Sequence, residues 1–297
     1  MFDTMTAEEI DALPYEIIGD SADREDWLVA RSRLITASDV AAILGLSPYK
    51  SALELWQEKR GDAPDREQTP LMIAGLKLEP IILDYFNAAT GRKAVPAQKL
   101  LRSKKWPWLG ATLDAWDAEN RGPVELKFCR EYSADLWSDS ANPLYVPQLM
   151  TQILVTGAAA GSFGVLVGGW DFRWMDLPLD AMMAHEILRE SHKFARQCRS
   201  GEPPGADGSK SAKEALDRQW PAREDVTVSL SHKVAELVTE LDQIDEDVKS
   251  AQARKALIRN LVIEEMKGAD LSELPDGSSF TYRSDKNDRR TLRRKKA

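Results

Sequence analysis

The sequence predicts an α/β domain followed by a helical extension, on three observations. Between residues 24 and 197, stretches with helical apolar spacing are interspersed with short strand-like stretches. Residues 229–267 are dominated by Leu, Val, Ile and charges at helical spacing, with no Phe, Tyr or Trp. Apolar residues make up 43% of the 297 residues and charged residues 30%. That is ordinary globular composition, with enough apolar material for a core, and it excludes global disorder and a stapled mini-protein.

The first helix is expected from Arg24 to Arg33. Thr36 or Ser38 reads as the N-cap of the next turn, with Asp39 in its first turn and Val40, Ile43 and Leu44 behind it. Gly45 stops that turn, Ser47-Pro48 restarts the chain, and Leu53, Leu55 and Trp56 mark a second short helix. Residues 61–70 read as a polar loop. Residues 71–90 form an amphipathic helix in which Pro80 marks a kink and after which Gly91 closes. Strands are expected at Lys99 to Arg102, at Leu109 to Trp116 and in VELKF at 124–128, with Asn120 and Gly122 making the last two an antiparallel pair. Residues 143–156 read as a helix through Leu149, Ile153 and Leu154. Two strands, Phe163 to Gly169 and Asp171 to Asp176, join at Gly168-Gly169, and a helix follows over 180–197. The domain reading is a core over 1–204, a linker over 205–228 and a helical extension with a basic tail over 229–297.

Charge and composition narrow the function classes. The net charge of −8 splits into +6 from Arg283 onward and −14 before it. Such a tail reads either as a phosphate-binding arm or as a solvated end. Two cysteines, Cys129 and Cys198, make no disulfide framework, and the three histidines include no HExxH pair, which disfavours a zinc hydrolase. No apolar run reaches the roughly 18 residues of a membrane span. The acidic start, MFDTMTAEEIDALPYEII, has no basic segment followed by an apolar one, so a secreted protein is not expected.

The chemistry concentrates at Asp114, Glu125 and Lys127. Strand side chains alternate, so Glu125 and Lys127 share a face, and Asp114 can lie beside Glu125 if the two strands pair. Two carboxylates on one patch suit Mg²⁺ or Mn²⁺, and a nearby ammonium suits a phosphoryl transition state. On its own, E-x-K is more often a surface Glu–Lys pair. Glu79 on the preceding helix is a further candidate carboxylate. Gln148 and Gln152, four apart on one helix face, could serve the same site. Arg31 and Ser38 flank a helix start that would receive a phosphate, and Lys50 lies at another, although Ser38 is also a plain N-cap.

These residues lie in the motifs RLITASDVAAILGLSPYKSALELW, GLKLEP, GATLDAW, VELK and YVPQLMTQILVTG. In that order the motifs resemble the YqaJ-like viral recombinase family, related to the phage lambda exonuclease within the PD-(D/E)xK nuclease superfamily. The resemblance spans roughly residues 24–190. It implies a restriction-endonuclease-like α/β core, with a central mixed sheet flanked by helices. It also implies that Asp114, Glu125, Glu79 and the Leu126 carbonyl hold Mg²⁺, or Mn²⁺ in its place, that Lys127 is catalytic, and that Gln148 supports it. Arg31 and Ser38 match the positions that contact a 5′ phosphate. The expected activity is 5′–3′ digestion of one strand of linear duplex DNA, by a toroidal homotrimer working beside a single-strand annealing protein. The expected setting is a bacterial cytoplasm, from a phage or prophage. An endonuclease or repair nuclease on the same core, and a non-catalytic recombination scaffold, are the alternatives. Two positions depart from the pattern: Ala115-Trp116 follows Asp114 where a glycine is common, and Pro147 precedes Gln148.

Overall fold

Local sequence signals set most of the element boundaries. The structure, a computed structural model, describes residues 12–20, 24–63, 69–138, 140–223 and 225–296. It opens with β1 (Tyr15–Asp20), then α1 (Arg24–Ser32), β2 (Ile35–Thr36), a 3₁₀ turn (Ala37–Asp39) and the short α2 (Val40–Ile43). Thr36 is the N-cap of that turn, and Asp39 answers it in a reciprocal capping box. Next come α3 (Ala52–Arg60), whose cap Ser51 accepts from the Glu54 N–H, and α4 (Pro70–Thr90). Gly91 ends α4 in the left-handed conformation, with φ of 72°. Strands β3 (Val95–Pro96), β4 (Lys99–Ser103), β5 (Leu109–Thr112), β6 (Ala115–Asp117) and β7 (Gly122–Cys129) follow. Then come a 3₁₀ segment (Glu131–Trp137), α5 (Val146–Thr156), β8 (Ala160–Val167), β9 (Asp171–Pro178), α6 (Ala181–Ser200) and α7 (Lys210–Gln219).

These elements form the first of two units, residues 1–222, and contain two mixed sheets. One has the order β1-β4-β5-β2 and the other β3-β6-β7-β8-β9; β2 runs parallel to β5 and β7 parallel to β8. The α/β reading with mixed sheets and flanking helices holds. The single strand expected from Leu109 to Trp116 does not. It breaks at Leu113-Asp114, where the chain leaves one sheet for the other. The break leaves Asp114 outside both strand ladders.

The five-stranded sheet is packed on both faces. Val124 and Leu126 point toward α4, joining Ile82, Leu83 and Phe86. On the other face Phe163 and Val165 meet Leu149 and Ile153 of α5. Period-2 alternation therefore sends Glu125 and Lys127 to the α5 side. Strand β7 lies close against β8 at its start: a Cβ at Gly122 would fall 2.4 Å from the Ala160 carbonyl oxygen.

The second unit, residues 223–297, has α8 (His232–Met266) and an antiparallel sheet of β10 (Leu271–Glu273), β11 (Ser279–Ser284) and β12 (Arg290–Lys295). The basic tail is thus the second strand of a hairpin, with Leu292 buried, rather than a loose end. The linker reading of 205–228 also needs correction. Within it, α7 packs on α3, where Gln57 donates to the Ala215 carbonyl at 2.8 Å and Ser51 N–H to Ser211 Oγ at 2.9 Å. The acidic start through residue 11 lies outside the described residues. No helix among the described residues is long and apolar enough to cross a membrane.

Candidate active site

Glu125 is the centre of the site. It is fully buried in mid-strand, and three donors surround its carboxylate. Lys127 Nζ and Gln148 Nε2 both donate to Oε1, the latter at 2.5 Å, and Gln152 Nε2 donates to Oε2. A buried carboxylate needs such partners, because desolvation otherwise costs several kcal/mol. The two glutamines come from the first turns of α5, one helical step apart. Pro147 costs nothing there, since an N–H so near the helix start has no intrahelical acceptor. Ala115 is likewise accommodated, fully buried opposite Val124.

Asp114 sits in the break between β5 and β6, and its Oδ2 accepts the Leu126 N–H at 2.8 Å. Burial raises its pKa well above the usual range, and the charges of Glu125 and Glu79 push the same way against Lys127. The Leu126 N–H points to Asp114 and not to β8. In an extended strand the carbonyl of the same residue points to that side too, so the Leu126 carbonyl is directed toward Asp114. Glu79 on α4 accepts from Gln98 Nε2 at 2.9 Å. Its pKa is raised by burial and then by Glu125. Burial alone would lower the Lys127 pKa, but Glu125 and Asp114 hold it above the ordinary ammonium range. Lys127 also lies 4.9 Å over the Tyr145 ring. In this charge environment Lys127 is held as an ammonium donor.

The donor set fits a hard divalent cation. Three carboxylates stand against one ammonium, and Gln152 Oε1 is buried with no hydrogen-bond partner. That is a surplus of oxygen acceptors, the chemistry Mg²⁺ and Mn²⁺ take. Among the described residues no three His, Cys, Asp or Glu side chains form a ready-made metal cage. The fit is one of donor type and charge.

A second cluster forms around Arg31 and Ser38. Arg31 Nη2 donates to Ser38 Oγ at 2.8 Å. Beneath them lies a buried pair absent from the sequence reading: Lys59 Nζ to Asp39 Oδ2 at 2.7 Å. Lys59 also donates to the Arg31 carbonyl at 3.3 Å, and Asp39 accepts from both Thr36 N and Thr36 Oγ1 at 2.8 Å. Burial would raise the Asp39 pKa, but Lys59 and Arg31 outweigh it and bring it to about 2. Lys50, the other phosphate candidate, is paired with Glu58 at 2.5 Å. Of the tryptophans near the motifs, Trp56 and Trp116 are core.

Residues 26–159 match the YqaJ-like viral recombinase domain. The uncharacterized protein YqaJ of Bacillus subtilis (strain 168) is 28% identical over 253 residues, covering 83% of this chain and 79% of that protein. Among solved structures, the alkaline exonuclease LHK-Exo of Laribacter hongkongensis is 20% identical with a TM-score of 0.49, over 66% of this chain and 97% of that one. A phage related exonuclease from Haemophilus somnus 129PT is 11% identical with a TM-score of 0.45, over 57% of this chain and 96% of that one. The matched segment takes in Arg31, Ser38, Glu79, Asp114, Glu125, Leu126, Lys127 and Gln148.

Proposed function

We propose that this protein is a divalent-cation-dependent 5′–3′ exonuclease that digests one strand of linear duplex DNA and supports recombination by single-strand annealing. The observation that carries the reading is the buried Glu125, held by Lys127, Gln148 and Gln152 beside the mutually repelling Asp114. The match of residues 26–159 to a viral recombinase domain supports it.

In this mechanism Asp114, Glu125, Glu79 and the Leu126 carbonyl hold Mg²⁺ or Mn²⁺. When bound, the ion lowers the pKa of water and offsets charge on the phosphoryl group. Lys127 donates a hydrogen bond to the attacking water or to a non-bridging phosphate oxygen, which favours the transition state. Gln148 and Gln152 fix the Glu125 rotamer, so its oxygens do not reorganise during turnover. Arg31 and Ser38 bind the terminal 5′ phosphate and so set the position of the scissile bond. A trimeric ring around DNA and a partner annealing protein complete the proposal.

The test is linear duplex DNA, 5′-phosphorylated or 5′-hydroxyl, with Mg²⁺ or EDTA, beside a closed circle. The reading expects loss of one strand from phosphorylated 5′ ends, only with Mg²⁺. Cleavage of the circle would instead favour an endonuclease. Arg31→Ala should slow digestion of phosphorylated ends far more than of hydroxyl ends, because the bidentate charge-assisted contact exists only for the former.

A further inference from the structure

Over most of its 35 residues, α8 has no partner among the described residues of its own unit. Only its C-terminal end packs there, where Met266 is buried and Arg259 donates to the Leu292 carbonyl at 2.8 Å. Leu237, Leu241, Ile244, Val248, Ala251 and Ile258 nevertheless recur in steps of four and three, with Lys255 taking the one polar step. That 3.5-residue period is the seam of a coiled coil, not the wider stripe of a helix laid on a globular core. Leu237, Leu241, Ile244, Val248 and Ile258 are each between 47% and 55% exposed.

Charge on the same helix selects the occupant. Residues 236–247 hold six acidic side chains and no basic one, whereas 249–259 hold four basic and no acidic one. The sign changes at Val248, near the middle of the helix. A second α8 laid parallel and in register would set Glu240 against Asp245 and Arg254 against Arg259, like against like. An antiparallel copy, turned about a point between Lys249 and Ser250, lays the acidic half on the basic half throughout. It places Leu241 opposite Ile258, Val248 opposite Ala251 and Ile244 opposite Lys255, whose ammonium then reaches the Asp245 and Asp247 region.

We propose that α8 pairs with the α8 of a second copy of this chain as an antiparallel coiled coil. This interface stands apart from the nuclease reading and does not depend on it. The test uses the full chain with Cys129 and Cys198 replaced by Ser, carrying Ile244→Cys and Lys255→Cys together or singly. Eleven residues of helix separate these positions by roughly 16 Å, beyond disulfide reach, so a bond between them joins two chains. The expected result is a reducible dimer from the double variant and little from either single one. Cross-linking by Ile244→Cys alone would indicate a parallel pair and overturn the proposal. Sedimentation of the full chain gives the second measurement. Arg254→Glu should weaken association roughly tenfold, and adding Asp247→Arg should restore it. Association strengthened by Arg254→Glu, or a mass unchanged by Leu241→Lys with Ile244→Lys, would reject the antiparallel seam.

Discussion

Asp114 pits stability against function within one carboxylate. Its raised pKa means the native state keeps a proton that the unfolded chain releases. Stability from this group is therefore complete below the ordinary carboxylate range and is lost as pH rises through the folded value. Asp114→Asn keeps an acceptor for the Leu126 N–H and removes the charge. Without divalent cation it should melt at a higher temperature than wild type near neutral pH, while cleaving no DNA. Mg²⁺ should raise the wild-type melting temperature more than that of the variant; an equal rise would remove Asp114 from the ligand set. Asp39 has the opposite sign. Its pKa of about 2 lies below the ordinary 3.8, so its contribution is present above 3.8 and is lost as pH falls through 2. Lys59→Met strips the buried charge of its partner and should cost about 3–5 kcal/mol in denaturant unfolding. The gap to wild type should narrow as pH falls toward 2, where Asp39 is protonated in wild type as well. Adding Asp39→Asn should return much of the loss; no recovery would mean the Lys59 stem, and not its charge, matters.

Helix α5 shows what a sequence reveals about an element and what it withholds. The Gln148–Gln152 spacing marks a shared face without any tertiary knowledge, and so does the Glu125–Lys127 alternation in β7. That the glutamine face is buried, and that both amides end on one carboxylate, depends on the five-stranded sheet lying beneath it. Hence Gln152, fully buried, donates to the Glu125 carboxylate as Gln148 does. The Asp39–Lys59 pair was not legible for the same reason: twenty residues and two helices separate its partners. Strand β1 was missed because it pairs with β4, about eighty residues away, inside a stretch with a weak alternating pattern. Helix α7 was missed because Gly, Pro and Ser before it dominate the local signal. Gln152→Ala should lower kcat with little change in KM for DNA, because it frees the Glu125 rotamer without touching the phosphate cluster. It should also cost about 1–3 kcal/mol, the penalty for a buried acceptor left short of a donor. A variant whose KM rises while kcat holds would place Gln152 in DNA binding instead.

At the scale of the whole molecule, charge is segregated along the chain: −14 before Arg283 and +6 after it. The basic segment is folded. Arg290 lies 4.1 Å over the Tyr282 ring, Arg294 packs toward Phe280, and Leu292 is buried. Deleting it would remove β12 and confound binding with folding. Arg289, Arg293, Lys295 and Lys296 are exposed and can be neutralised to Gln with the hairpin intact. If the hairpin grips the DNA backbone, each lost phosphate contact lowers the slope of log K against log salt by about 0.9. The fourfold variant should then bind duplex DNA more weakly at low salt and show a flatter salt dependence. Its turnover on saturating DNA should match wild type, since no group of the Asp114–Glu125–Lys127 site is altered. A slope equal to that of wild type would mean these charges never meet phosphate. The hairpin would then be read as a surface for an acidic protein, with the negative first 282 residues left to bind DNA through local clusters such as Arg31 and Ser38.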